Sequence, residues 1–220
     1  MTKHFEKDIL KLNEKISALG ALIVESAAKS TVMLKNFDLS IADEITKSEV
    51  AVNEMEVDIE NECLKVLALH QPVAADLRFL IVVLKVNNDL ERMGDQIVNI
   101  AERVRFLKNQ PRVVSEIDLV KMGEMGAKMV RFSMDALLTR DSDIARKVLA
   151  MDDELDAHHA RSFQVLQDVM KDNIEMIIPA NSYLTISSNL ERLGDLATNI
   201  AEEIIFMQEG EVIRHQSLSS

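Results

Sequence analysis

The segment Leu90-Glu91-Arg92-Met93-Gly94-Asp95 returns one hundred residues later as Leu190-Glu191-Arg192-Leu193-Gly194-Asp195. Each copy is followed by Asn-Ile-Ala-Glu, Asn99 to Glu102 and Asn199 to Glu202, and nine of sixteen positions are identical between 87–102 and 187–202. Such a match marks an internal duplication. On a helix the acids of each copy stand at i and i+4, so two like charges stack on successive turns. That spacing is unfavourable unless a cation or an arginine offsets it. Arg92 and Arg192 are the nearest arginines; a bound metal ion is the functional alternative.

With Leu90 at zero on a helical wheel, Glu91, Asp95, Asn99 and Glu102 fall between about 100 and 180 degrees, beside the apolar side. One helix rarely surrounds a hard cation, so further oxygens must come from a neighbour. Glu49 and Asn53 repeat the i, i+4 spacing upstream, and Asp152 and Asp156 stand 103 residues after them. The expected clusters are Glu49, Asn53, Glu91, Asp95 and Asn99 in the first half, and Asp152, Asp156, Glu191, Asp195 and Asn199 in the second. A row of acids on a helix is more often a solvated face than a metal site. Here its repetition, and the recurrence of Gly94 and Gly194 in mid-helix where glycine costs about 1 kcal/mol against alanine, favour close approach of a neighbour or ligand.

The expected ligand is a divalent or trivalent metal ion held by oxygens, with Fe, Mn, Mg, Ca and Zn not distinguished. The lack of a suitably spaced Cys and His set argues against structural zinc. His159, three residues after Asp156, approaches the Glu-x-x-His pattern of di-iron bundles, whereas Glu56 occupies that place in the first half. Such a histidine, next to His158, is more commonly a surface residue. No phosphate-binding glycine loop, nucleophile elbow or His-Glu-x-x-His helix occurs, so no catalytic residues and no organic cofactor are assigned.

These acids must be positioned by helices. Ile9, Leu12, Ile16, Leu19, Ile23, Ser26, Ser30, Leu34 and Phe37 follow steps of three and four, predicting a first helix that breaks near Asp38 and Ser40. A second runs to about His70 before Pro72, and a third from Ala74 to about Lys108, ahead of Pro111. The plan repeats at 116–139, 142–171 and 179–209. The fold class expected is all-α, two tandem three-helix bundles at 1–110 and 111–210, with a frayed tail at 211–220.

Composition agrees: 47% hydrophobic residues, 28% charged, three prolines, six glycines and no tryptophan suit long helices in the 220-residue chain. A formal net charge of -12 excludes a protein that covers nucleic-acid phosphates, for which clustered Lys and Arg are required. Cys63 cannot form an intramolecular disulfide and is expected in the core, consistent with a reducing cytoplasm. The N-terminal residues carry charges of both signs with no signal-like apolar stretch behind them. The apolar run Phe79 to Leu84 is far short of the roughly 20 residues that cross a bilayer, so no membrane span is expected.

These residues resemble the PhoU family of phosphate-uptake regulators, in which two three-helix repeats each carry a Leu-Glu-Arg-x-Gly-Asp segment. A second signature of that family, Pro-Val-Ala-x-Asp-Leu-Arg, stands at Pro72 to Arg78 and is not repeated in the second half. The resemblance implies metal clusters on the acid-x-x-x-acid segments, with Asn53 departing from the acidic pattern. It further implies a cytoplasmic, non-enzymatic adaptor that represses phosphate-starvation genes. Its implied partners are a sensor histidine kinase and the ATPase of the phosphate ABC transporter; the adaptor reaches the membrane only through them and commonly forms homodimers. The competing reading is a metal-dependent hydrolase or oxidase on the same carboxylates, with His159 added. A third reading is a metal-free acidic scaffold for basic partners.

Overall fold

Apolar residues at helical spacing wind six segments into α-helices: α1 (Lys3–Asn36), α2 (Leu39–His70), α3 (Ala74–Leu107), α4 (Leu119–Thr139), α5 (Ser142–Asp172) and α6 (Ile177–Glu209). The computed structural model describes residues 3–113 and 117–210, and the tail expected to fray lies outside them. No strand occurs among the described residues.

The helix starts are set by matched caps. Asp38 accepts from the Ser40 N–H at 2.9 Å, and Asp141, 103 residues on, accepts from the Asp143 and Ile144 N–H groups at 2.8 and 3.2 Å. Each satisfies donors that the first helical turn leaves without partners. The helix expected from 116 starts instead at Leu119, because Asp118 caps it through the Lys121 N–H at 2.9 Å. The helix expected from 179 starts at Ile177, after a 3-10 turn at Ile174–Met176. Pro179 fits there because the first turn of a helix does not use its N–H groups internally.

α1, α3, α4 and α6 form the centre, while α2 packs on α1 and α3 and α5 on α4 and α6. Gly20 on α1 faces Met134 on α4, and Gly123 on α4 faces Thr31 on α1. Both pairs are related by the same 103-residue shift, so one contact is made twice about a pseudo-two-fold axis. α3 and α6 likewise run antiparallel: the Lys85 ammonium donates to both oxygens of Glu203 at 3.1 and 3.0 Å. Toward the same end of that pairing, Gln208 donates to the Arg140 carbonyl, and the Arg140 guanidinium covers the Phe79 ring at 5.3 Å.

A continuous core joins both halves, from Leu12, Ile16 and Leu19 on α1 to Ile200 and Ile204 on α6. α1 contains an 18-residue window of mean hydropathy 1.3, yet half of that window is buried inside the bundle. Its stripe is used for helix packing. Cys63 is fully buried, and burial, reinforced by Glu62 and Glu60, pushes its thiol up to about 12, as an inert core residue requires.

Glu62 is the one acid buried beside that cysteine on α2. Lys11 and Lys65 donate to it at 2.8 and 3.0 Å, Lys15 lies 3.5 Å away, and its carboxyl is held down to about 2. A folded pKa below the ordinary 4.5 contributes stability that is complete above pH 4.5 and lost as pH falls toward 2. Lys11 and Lys65 are half exposed, which screens the contribution to about 1 to 2 kcal/mol. Denaturant midpoints measured at pH 3 and pH 6 should therefore differ less in Glu62→Gln than in the parent protein.

Candidate metal centre

The second half brings three carboxylates together. Asp152 and Asp156 on α5 and Asp195 on α6 each offer an oxygen within 4.8 Å of the others. The helices approach closely because Gly194 leaves room for Leu155: a Cβ at residue 194 would collide with Leu155 Cδ2 and sit 3.4 Å from Met129 Cε. Gly94 plays the same part on α3, but its Cβ would meet Val52 Cγ1 at 3.3 Å, a contact that a small shift relieves. Gly194→Ala is therefore expected to lower stability by about 1 to 2 kcal/mol, overpacking outweighing the gain in helix propensity. Gly94→Ala should be nearly neutral, and thermal melts of the two variants check the difference.

Electrostatics in the trio is repulsive. Burial first, then Asp156 and Asp195, raise the Asp152 carboxyl to about 6. Burial and Asp156 also raise Asp195, and Arg192 and His159 only partly oppose them. Glu191 is raised by burial, Asp195 and Asp156, which places it beside the trio. Asp152 Oδ1 is buried without a hydrogen-bond partner. A buried acceptor with nothing to accept from, inside a group of converging negative charges, fits a cation. Asp152, Asp156 and Asp195 would hold it, with Glu191 adjacent.

The first half is not an equal copy. Burial raises the Glu91 carboxyl, and the charges that add to the effect are Asp95 and Glu56, with Arg92 opposing. Glu49 is half-buried and Asn53 exposed on α2. Among the described residues no trio of carboxylates closes here as it does in the second half. Asn53 removes one carboxylate, and Glu56 brings another from one turn further along α2. Asn99 is exposed and Asn199 half-buried, each one turn beyond the aspartate of its repeat.

Two features of the site escaped the sequence patterns. Ser187 is fully buried and its Oγ lies 2.9 Å from His159 Nδ1, while Asn87, its counterpart in the first half, donates to the Glu56 carbonyl at 2.9 Å. The 103-residue alignment of Glu56 with His159 is the signal that could have found both, because each contact joins the same two places in the repeat.

Duplicated three-helix units with acids facing one another between an outer and an inner helix define a class of all-α, carboxylate-bearing tandem-repeat proteins. The chain belongs to the PhoU family: the PhoU domain matches at residues 16–104 and again at 119–204. A relative from Aquifex aeolicus, named a phosphate-specific transport system accessory protein PhoU homolog, is 32% identical over 212 residues, 96% of each chain. One of the same name from Streptococcus pneumoniae is 30% identical over 213 residues, 97% of this chain and 99% of the relative. The crystal structure of PhoU from Pseudomonas aeruginosa superposes with a TM-score of 0.88 at 30% identity, covering 94% of this chain and all of that one. The phosphate transport system regulatory protein PhoU from Streptococcus pneumoniae gives 0.84 at 30% identity, covering 94% and 98%.

Proposed function

We propose that this protein is a cytoplasmic, non-enzymatic regulatory adaptor of phosphate transport. In this reading it represses the phosphate-starvation response when phosphate is plentiful, through contacts with a sensor histidine kinase and the ATPase of the phosphate ABC transporter. The observation that carries the reading is the end-to-end match to relatives named as phosphate transport accessory proteins. The fold suits the role, since long rigid helices offer extended faces to partners. A homodimer would double those faces.

The metal is the second part of the proposal. A cation at Asp152, Asp156 and Asp195 would replace mutual repulsion by attraction and clamp α5 to α6. The first-half residues Glu49, Asn53, Glu91, Asp95 and Asn99 form the weaker counterpart, because Asn53 supplies an oxygen without charge. The bound ion would act as Lewis-acidic glue between helices.

The test is binding of the full-length protein to the kinase and to the transporter ATPase, with and without a chelator. Complexes that survive moderate salt and weaken when metal is stripped support the adaptor. Absence of both complexes, or metal-dependent turnover of p-nitrophenyl phosphate, would overturn it in favour of the hydrolase reading. Binding that ignores chelator but collapses with salt would remove the metal's part and leave an acidic scaffold.

A further inference from the structure

We propose that His159 supplies a nitrogen ligand to the second-half cation site, giving that site a preference for first-row transition ions that the all-oxygen residues of the first half lack. The inference rests on the metal reading above and adds to it the residue that separates the two halves chemically.

His159 lies on the same face of α5 as the site acids, three residues after Asp156 and seven after Asp152. Its ring is half-buried, and Asp156 and Asp195 are the charged groups acting on it. It stands at the rim of the trio rather than within the 4.8 Å group. Ser187 Oγ lies 2.9 Å from His159 Nδ1. That contact engages Nδ1 from α6 and leaves Nε2 as the nitrogen open to a cation. With a metal on Nε2 the imidazole hydrogen sits on Nδ1, where the serine oxygen can accept it. A metal-binding histidine is commonly held in this way, its other nitrogen anchored by a polar partner.

The first half cannot reproduce it. Glu56 stands where His159 does, and Asn87, in place of Ser187, is engaged with the Glu56 carbonyl instead of a side chain. An imidazole among carboxylates moves a site's preference from Mg²⁺ and Ca²⁺ toward Fe²⁺, Co²⁺ and Zn²⁺. The two halves should therefore differ in metal selectivity.

The experiment uses the whole chain, stripped with a chelator and labelled with ¹⁵N-histidine. Zn²⁺ is titrated while the imidazole nitrogens are followed by NMR, with His159→Gln assigning the resonance. The expected result is a stoichiometric shift of the His159 Nε2 signal. Competition against a chromophoric chelator should show Zn²⁺ affinity falling at least about tenfold in His159→Gln and about tenfold in Ser187→Ala, with Mg²⁺ affinity nearly unchanged. An unmoved Nε2 signal, together with parental Zn²⁺ affinity in His159→Gln and lost affinity in Asp195→Asn, overturns this inference and leaves the carboxylate site standing. Zn²⁺ affinity that no variant changes, Asp195→Asn included, overturns both. The NMR result is obtained on the unmutated protein and so does not depend on a variant's folding.

Discussion

Asp152→Asn is expected to raise the stability of the metal-free protein and to lower that of the metal-loaded one. Without metal, the Asp152 carboxyl has a folded pKa of about 6 against an ordinary 3.8. A raised folded value means that the protonated carboxyl suits the fold. This contribution is fully present below pH 3.8 and is lost as pH rises through about 6. At neutral pH the wild-type protein therefore carries the repulsion that an amide removes. Partial exposure of the site limits the gain to about 1 to 2 kcal/mol, or about 2 to 8 °C in melting temperature for a chain of this size. With Mn²⁺ at a hundred times its dissociation constant the order reverses. Wild type should gain about 2.7 kcal/mol, or about 5 to 10 °C, and the variant most of it not at all. Melts at pH 7.5 in chelator and in excess Mn²⁺ give the four values needed. Parallel curves for the two proteins in both conditions would contradict the site.

Lys85→Ala is expected to weaken the junction of the halves by about 1 to 2 kcal/mol, the lysine being 41% exposed and the glutamate buried. Glu203 is only 2% exposed and accepts two bonds from the Lys85 ammonium, which also lies 5.9 Å above the Phe206 ring. Truncation takes those bonds from a carboxylate that water cannot reach freely. Replacing both partners by apolar residues of similar size avoids that penalty, so Lys85→Met with Glu203→Met should return to within about 1 kcal/mol of wild type. A urea-denaturation double-mutant cycle checks this, and near-additive losses would show that the pair does not act as a unit.

The helical period and the duplication made most of the fold legible. Steps of three and four along α1, and Pro72 and Pro111 as punctuation, placed helix ends within a few residues of the observed ones. The departures have local causes: Asp118 caps α4 later than the apolar pattern begins, and Pro179 is absorbed into the first turn of α6. The antiparallel pairing of α1 with α4 was not legible, because the packing of Gly20 on Met134 depends on which faces remain after each half has closed. In the candidate site, the nearness of Asp152, Asp156 and Asp195 was legible because the duplicated acidic segment of α6 has a matching i, i+4 pair on α5 of the same repeat. The inequality of the halves was only partly readable. Asn53 signalled it, but the contribution of Glu56 to the field at Glu91, and the anchoring of His159 by Ser187, join residues about 30 positions apart on different helices.

The pseudo-two-fold axis has an ancestral implication. Two separate half-length chains could meet through the same inner helices, but every contact would then occur twice with identical residues on each side. Lys85 with Glu203 has no such double, since the corresponding places hold Thr185 and Arg103. Fusing the copies into one polypeptide freed each from its twin. One half could then keep a charged bolt across the junction, and the other a histidine among its acids, specialisations that a symmetric pair of independent subunits can never hold on one side alone.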